Sequence, residues 1–106
     1  MKSYLLVESR SDLESPDVGA LRGLAARLRK AGHDVVLFLV QNGVMTSGAR
    51  PPLDEVAGAG VTVWLDEFSV RARGLASAPR PPGAQVVGMG ELVRLLMAPD
   101  VIALWH

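Results

Sequence analysis

The chain contains no cysteine, which excludes disulfides, thiolate metal sites and any thiol nucleophile. Eleven basic and eleven acidic side chains leave no formal charge, so no net field draws the molecule to nucleic acid or to an anionic membrane. The densest basic group, Arg22, Arg27, Arg29 and Lys30, falls on an apparent amphipathic helix and reads as its solvated face. No apolar stretch approaches the roughly 18 residues of a membrane span, and Met1 to Val7 is too short and too strand-like for the apolar core of a signal peptide. A soluble, cytoplasmic protein is therefore expected, with no membrane partner and no direct nucleic-acid partner. Histidine is nearly absent too. His33 lies in a helix-to-strand turn and His106 stands last in the sequence, so the two make no metal set, and no cofactor is implied.

A chain of 106 residues normally forms one domain, 1–106, and hides roughly two thirds of its unfolded surface without needing staples. Four short apolar runs, Leu5 to Val7, Val35 to Val40, Val61 to Leu65 and Ala84 to Val87, each stop at a loop carrying Gly or acid. The run from Val35 to Val40 is continuous rather than alternating, which suits a central strand covered on both faces. A fifth strand is expected over Val101 to Trp105. Between the runs lie helix signals: Ser15-Pro16-Asp17 as a start, then Val18, Leu21, Leu24, Ala25 and Leu28 at helical spacing, stopped at Gly32. Shorter helices are expected over Leu53 to Ala57, after Pro51-Pro52, over Phe68 to Arg73, and from Gly90 to Pro99. Gln41 to Ala49 and Leu75 to Gly83 read as loops.

Alternation of strand and helix patterns predicts a three-layer α/β/α sandwich, Rossmann- or flavodoxin-like, with a mainly parallel five-stranded sheet and right-handed crossovers. Open parallel sheets gather ligand sites at the carboxyl ends of strands. Glu8, Gln41, Asn42, Gly43, Asp66, Glu67, Gly88 and Gly90 thus become expected neighbours, and all but Glu8 are candidate ligand-binding residues. Gly88-Met89-Gly90 before a helix is only part of a dinucleotide fingerprint, because Val93 stands where a third Gly is required. Asp66 and Glu67 are adjacent, so on extended backbone they point apart, and capping of the next helix is the plainer role for one of them. Glu8 and Asp12 resemble the start of an acidic phosphoacceptor pocket, but Gln41-Asn42 replaces the acid needed after the central strand. Ser9, Ser11, Ser47 and Ser69 lack a credible His partner, and no catalytic residue is assigned. Trp64 reads as core, while Trp105 and His106 are candidate interface residues.

Three stretches together resemble the DsrE/DsrF/DsrH family of small sulfur-relay proteins, whose members include subunits of the tRNA-thiolation relay. They are Val35-Val36-Leu37-Phe38-Leu39-Val40-Gln41-Asn42-Gly43-Val44, then Gly60-Val61-Thr62-Val63-Trp64-Leu65-Asp66 running to Arg73-Gly74-Leu75, and Gly88-Met89-Gly90-Glu91-Leu92 with Asp100-Val101-Ile102. The resemblance implies a DsrE-like domain whose sulfur-carrying members hold a persulfide on a cysteine after the third strand. Counting back from Arg73-Gly74, Asp66 lies nearest that position. A carboxylate cannot carry a persulfide, since transfer requires a thiolate. What the resemblance implies here is a cysteine-less, non-catalytic DsrH-type subunit in a homo-oligomer, or in a hetero-oligomer with related DsrE-like chains. The alternative is a small-ligand or anion binder using the loops at the carboxyl edge. An enzyme using Asp66 or Glu67 as base ranks below both, for want of a nucleophile, metal or oxyanion site.

Overall fold

The computed structural model describes residues 1–48, 52–80 and 82–106. In chain order the elements are β1 (Ser3–Glu8), α1 (Asp17–Lys30), β2 (Asp34–Leu39), a 3₁₀ segment (Gln41–Gly48), α2 (Pro52–Gly58), β3 (Thr62–Asp66), α3 (Glu67–Ala72), β4 (Gln85–Val87), α4 (Met89–Met97) and β5 (Val101–Trp105). The five strands form one all-parallel sheet in the order β4-β3-β2-β1-β5, so β2 is central, as its unbroken apolar run requires.

Side chains alternate cleanly across this sheet. Leu6, Val35, Leu37, Leu39, Val63 and Leu65 pack with Ala25 of α1, Leu53 and Val56 of α2 and Val70 of α3. Leu5, Val7, Phe38 and Val40 face the other way and meet Leu92 of α4, with Trp64 packed against them. Trp64 meets Phe38 edge to face with ring centroids 6.2 Å apart, which is the core role expected for it. Burying each such Leu or Phe is worth roughly 1.5–3 kcal/mol before entropy is charged, so the two clusters fix which face each strand presents.

Chain direction explains the layers. From β1 to β4 every crossover steps to the next position on the same side, and right-handedness places α1, α2 and α3 on one face. The return from β4 to β5 runs back across the sheet, so the same handedness sends α4 to the opposite face. Helices leaving β3 and β4 therefore diverge, opening a crevice at their carboxyl ends.

Two local expectations change. Gln41 to Ala49, expected as open loop, is a 3₁₀ segment through Gly48, because Gly43 N–H bonds back to Val40 C=O at 2.8 Å and the turns continue from there; Ala49 and Pro51 lie outside the described residues. Arg22 is not a solvated face residue. Its guanidinium pairs in bidentate fashion with Asp12 at 2.7 and 2.8 Å and is 11 % exposed, which also accounts for the acid once grouped with Glu8.

Candidate functional site

The polar centre of the crevice grows from the last residue of β3. Asp66 is 2 % exposed and caps α3: its Oδ2 accepts Ser69 N–H at 3.0 Å and Ser69 Oγ–H at 2.6 Å. Ser69 Oγ in turn accepts the Gln41 N–H at 2.8 Å, stitching the exit of β2 to the start of α3. Gln41 has a left-handed backbone, with φ 50°, a conformation that costs an L-residue about 1–2 kcal/mol and is held here by that bond. Glu67, one residue on, points to solvent and pairs with Arg71 at 3.2 Å. The two acids diverge as expected.

Next to this network stands Arg73, just past α3. Its Nε and Nη2 donate to Asn42 Oδ1 at 3.0 and 2.8 Å, and Nη1 donates to the Ser69 carbonyl at 3.4 Å. Every acceptor is neutral, and among the described residues no carboxylate lies within ion-pair distance of it. The Asn42 side chain also helps to hold the Glu14 carboxyl below its ordinary range, after the larger effect of the Ser11 backbone N–H. Asn42 is thus a strut that aims Arg73 rather than a free ligand group.

A cavity of about 340 Å³ opens over these groups, lined by Val40, Gln41, Asp66, Phe68, Ser69, Arg73, Met89 and Trp105. Phe68 and Trp105 are 73 % and 61 % exposed, giving the cavity an apolar rim over a polar floor. Glu67 and Gly88 line a shallower depression beside it, with Asp66, Phe68, Arg71 and Met89. The remaining candidates lie elsewhere. Gly43 is buried with its backbone against Glu8, and Gly90 faces open space in α4. Sequence reasoning missed Ser69 as the partner of Asp66, although acid followed three residues later by Ser at a helix start was a usable signal. Arg73 was noticed only as a helix stop.

His106 is not a bare surface residue either. Its Nδ1 sits 2.8 and 2.9 Å from the two carboxyl oxygens of Glu8, which is 1 % exposed and also accepts Arg10 N–H at 3.0 Å. Main-chain bonds from His106 N–H to Val7 C=O and from Ser9 N–H to His106 C=O extend the β1–β5 ladder. Ser9 Oγ donates to the same carbonyl at 2.8 Å rather than to the ring, so no serine–histidine relay forms. Among the described residues there is no cluster of three or more His, Asp or Glu able to hold a metal, and no helix long and apolar enough to cross a membrane. A larger cavity, about 540 Å³, lies between α1 and α2 along Gly19, Gly23, Ala26 and Val56, away from the strand ends.

Solved structures share this architecture. The ychN protein from E. coli matches with TM-score 0.82 and 23 % identity over 98 % of this chain and 100 % of that one. MTH1491 from Methanobacterium thermoautotrophicum, a protein of unknown function, gives TM-score 0.82 at 18 % identity with full coverage of both chains. BT1422 from Bacteroides thetaiotaomicron, a conserved protein of unknown function, gives 0.75 at 17 % identity over 95 % of this chain and 94 % of its own. At such identities the likeness establishes the fold: a five-stranded parallel α/β protein. No family model and no curated protein matches the sequence.

Proposed function

We propose that this chain is a non-catalytic subunit of DsrE/DsrH-like type, which acts by associating with a second copy or with related chains. One observation carries the reading: the apolar stripe of α4 extends well beyond the side that its own sheet covers. Leu92 is buried under it, while Met89, Val93, Leu96 and Met97, at spacing i, i+4, i+7 and i+8, are 46, 53, 45 and 78 % exposed on its outer side. An apolar stripe wider than its own sheet covers is left in water unless another surface meets it, and a partner supplies that surface. The order of motifs along the chain and the Asp66-Ser69 lock at the position of the family's cysteine agree with a member that carries no sulfur. Native mass spectrometry at micromolar concentration is expected to show a dimer or larger species; a strictly monomeric chain that also fails to pair with DsrE-like subunits removes the reading.

A second reading is favoured by Arg73, whose charge meets only neutral acceptors. A small anion entering the cavity between Phe68, Met89 and Trp105 would find that guanidinium already aimed by Asn42. Thermal unfolding with sulfate, phosphate, nucleotides and small carboxylates tests it. Ligand at 100 times its dissociation constant adds about 2.7 kcal/mol, on the order of 10 °C for a chain of this size, and the shift is expected to vanish in Arg73→Gln. No shift with any of these anions removes this second reading.

A further inference from the structure

The geometry points to β5 as the contact: two copies pair their β5 edges antiparallel, joining two five-stranded sheets into one continuous sheet. This rests on the association reading and adds to it a specific surface, a register and a symmetry.

Edge strands are normally guarded by charge, proline, a bulge or brevity. At the far edge β4 has three residues, beginning with Gln85, and is guarded by its shortness. β5 has five, Val-Ile-Ala-Leu-Trp, with no charge and no proline. Its register with β1 sets Val101, Ala103 and Trp105 level with Ser3, Leu5 and Val7 on the α4 face, and Ile102 and Leu104 level with Tyr4 and Leu6 on the α1 face. Ile102 and Leu104 are 41 and 43 % exposed and Trp105 61 %, so β5 is wet on both faces at once. A helix docking on the sheet could dry only one of them. A neighbour arriving edge-on continues both layers and meets the free backbone as well.

The backbone has the correct phase. His106 turns its N–H and C=O toward β1, bonding Val7 and Ser9, so strand alternation turns those of Ile102 and Leu104 the same way and those of Ala103 and Trp105 outward, with the Val101 C=O; the Val101 N–H reaches the Ala98 C=O at 3.4 Å. A two-fold axis normal to the sheet through Ala103 then makes Ala103 and its mate a hydrogen-bonded pair. Val101 falls opposite Trp105 of the second copy, and Ile102 opposite Leu104. The small side chain sits on the axis, where its own mate faces it, and each indole covers the other copy's valine. Centring on Ile102 or Leu104 would pair only three residues of each five-residue β5 instead of all five. Symmetry of this kind keeps both α4 helices on one face of the joined sheet, where their outer apolar stripes add to the contact.

The occupant is a second copy because the surface complements itself. β5 carries no charge, and the Glu91 and Arg94 side chains of α4 pair with each other at 3.0 Å, so identical faces meet without repulsion. Trp105 contributes on the order of 150 Å². With Ile102, Leu104 and the α4 stripe, the apolar area reaches the order of the ~800 Å² per partner that specific interfaces bury.

The absence of cysteine makes the test clean, since any introduced thiol is the only one. The full-length Ala103→Cys chain, mildly oxidised, is expected to convert largely to a covalent dimer, because facing Cα atoms about 5.5 Å apart lie within disulfide reach. Ala103→Lys, which sets like charges opposite each other at the axis, is expected to weaken dimerisation at least about tenfold while circular dichroism shows the fold intact. Association retained in Ala103→Lys, with no covalent dimer from Ala103→Cys, overturns the edge pairing and leaves the association reading standing. A wild-type monomer overturns the pairing of copies, and one that also fails to pair with DsrE-like subunits overturns the association reading as well.

Discussion

Gly43→Ala is the most informative single change, because the sequence grouped Gly43 with Gly88 and Gly90 as a ligand rim and the structure separates them. A Cβ built on Gly43 would lie 2.3 Å from the Glu8 carbonyl oxygen and 3.1 Å from its carbon. Relief requires moving backbone by nearly an ångström at a carbonyl that also accepts Val40 N–H at 3.0 Å. Overpacking of this kind costs about 1–3 kcal/mol, and loosening that hydrogen bond adds roughly 1 kcal/mol. A destabilisation of about 2–4 kcal/mol is expected in urea unfolding, read as a lower midpoint at unchanged slope. Gly88→Ala and Gly90→Ala serve as controls, since nothing lies within 4 Å of either Cβ, and both should stay within about 1 kcal/mol of wild type. If Gly43→Ala unfolds at the wild-type midpoint, the close approach of the β1 and β2 exits is wrong, and with it the placement of Gln41 and Asn42.

His106→Ala strips the buried Glu8 carboxylate of its ring hydrogen bond; a hydrogen bond to a charged group is worth about 1.5–3 kcal/mol, and with the histidine 27 % exposed the loss, measured by thermal or urea unfolding, is expected at the low end, about 1.5–2 kcal/mol. Loss below about 0.5 kcal/mol would show that Glu8 is satisfied by other groups. Glu14→Gln addresses pH. The folded carboxyl is held low by Ser11 N–H and then by Asn42, so its contribution is present above the unfolded carboxylate range and fades as pH falls through the lower folded value. Wild type and variant should therefore differ near neutrality and converge at acid pH; a gap that widens on acidification contradicts the assignment.

Five parallel strands, the layers and the central position of β2 were legible because uninterrupted apolar runs admit few structures other than buried parallel strands, whereas the order β4-β3-β2-β1-β5 came only from the structure. That one of the adjacent acids Asp66 and Glu67 caps the next helix, and that Trp64 is core, was legible too from immediate neighbours; that the cap is Asp66 came from the structure. What escaped depends on contacts distant in sequence. Glu8 and His106 meet only because β5 returns beside β1, and nothing local to either residue announces it. Arg73 reads as a helix stop until folding brings Asn42 across to aim it. Gly43 reads as a flexible loop glycine, whereas its requirement is the passage of another strand's carbonyl. Boundaries slipped by a residue where caps, not patterns, decide them, as at Thr62–Asp66 and Glu67–Ala72.

The groups around Asp66 permit one more test, which addresses the proposed kinship with sulfur carriers directly. Ser69 N–H and Oγ–H both donate to the carboxylate, and Arg73 lines the same cavity. Donors that bond a carboxylate also stabilise a thiolate, whose free form has a pKa of about 8.5, and a cation lining the same cavity favours the anion further. Asp66→Cys is therefore expected to alkylate with iodoacetamide at neutral pH faster than a control thiol introduced at exposed Glu67, and the advantage should shrink in the Ser69→Ala background. Loss of the cap costs about 0.5–2 kcal/mol, so unfolding measured beside reactivity separates damage from chemistry. A folded Asp66→Cys chain no more reactive than the Glu67 control would show that the surroundings of β3's last residue support a helix cap alone.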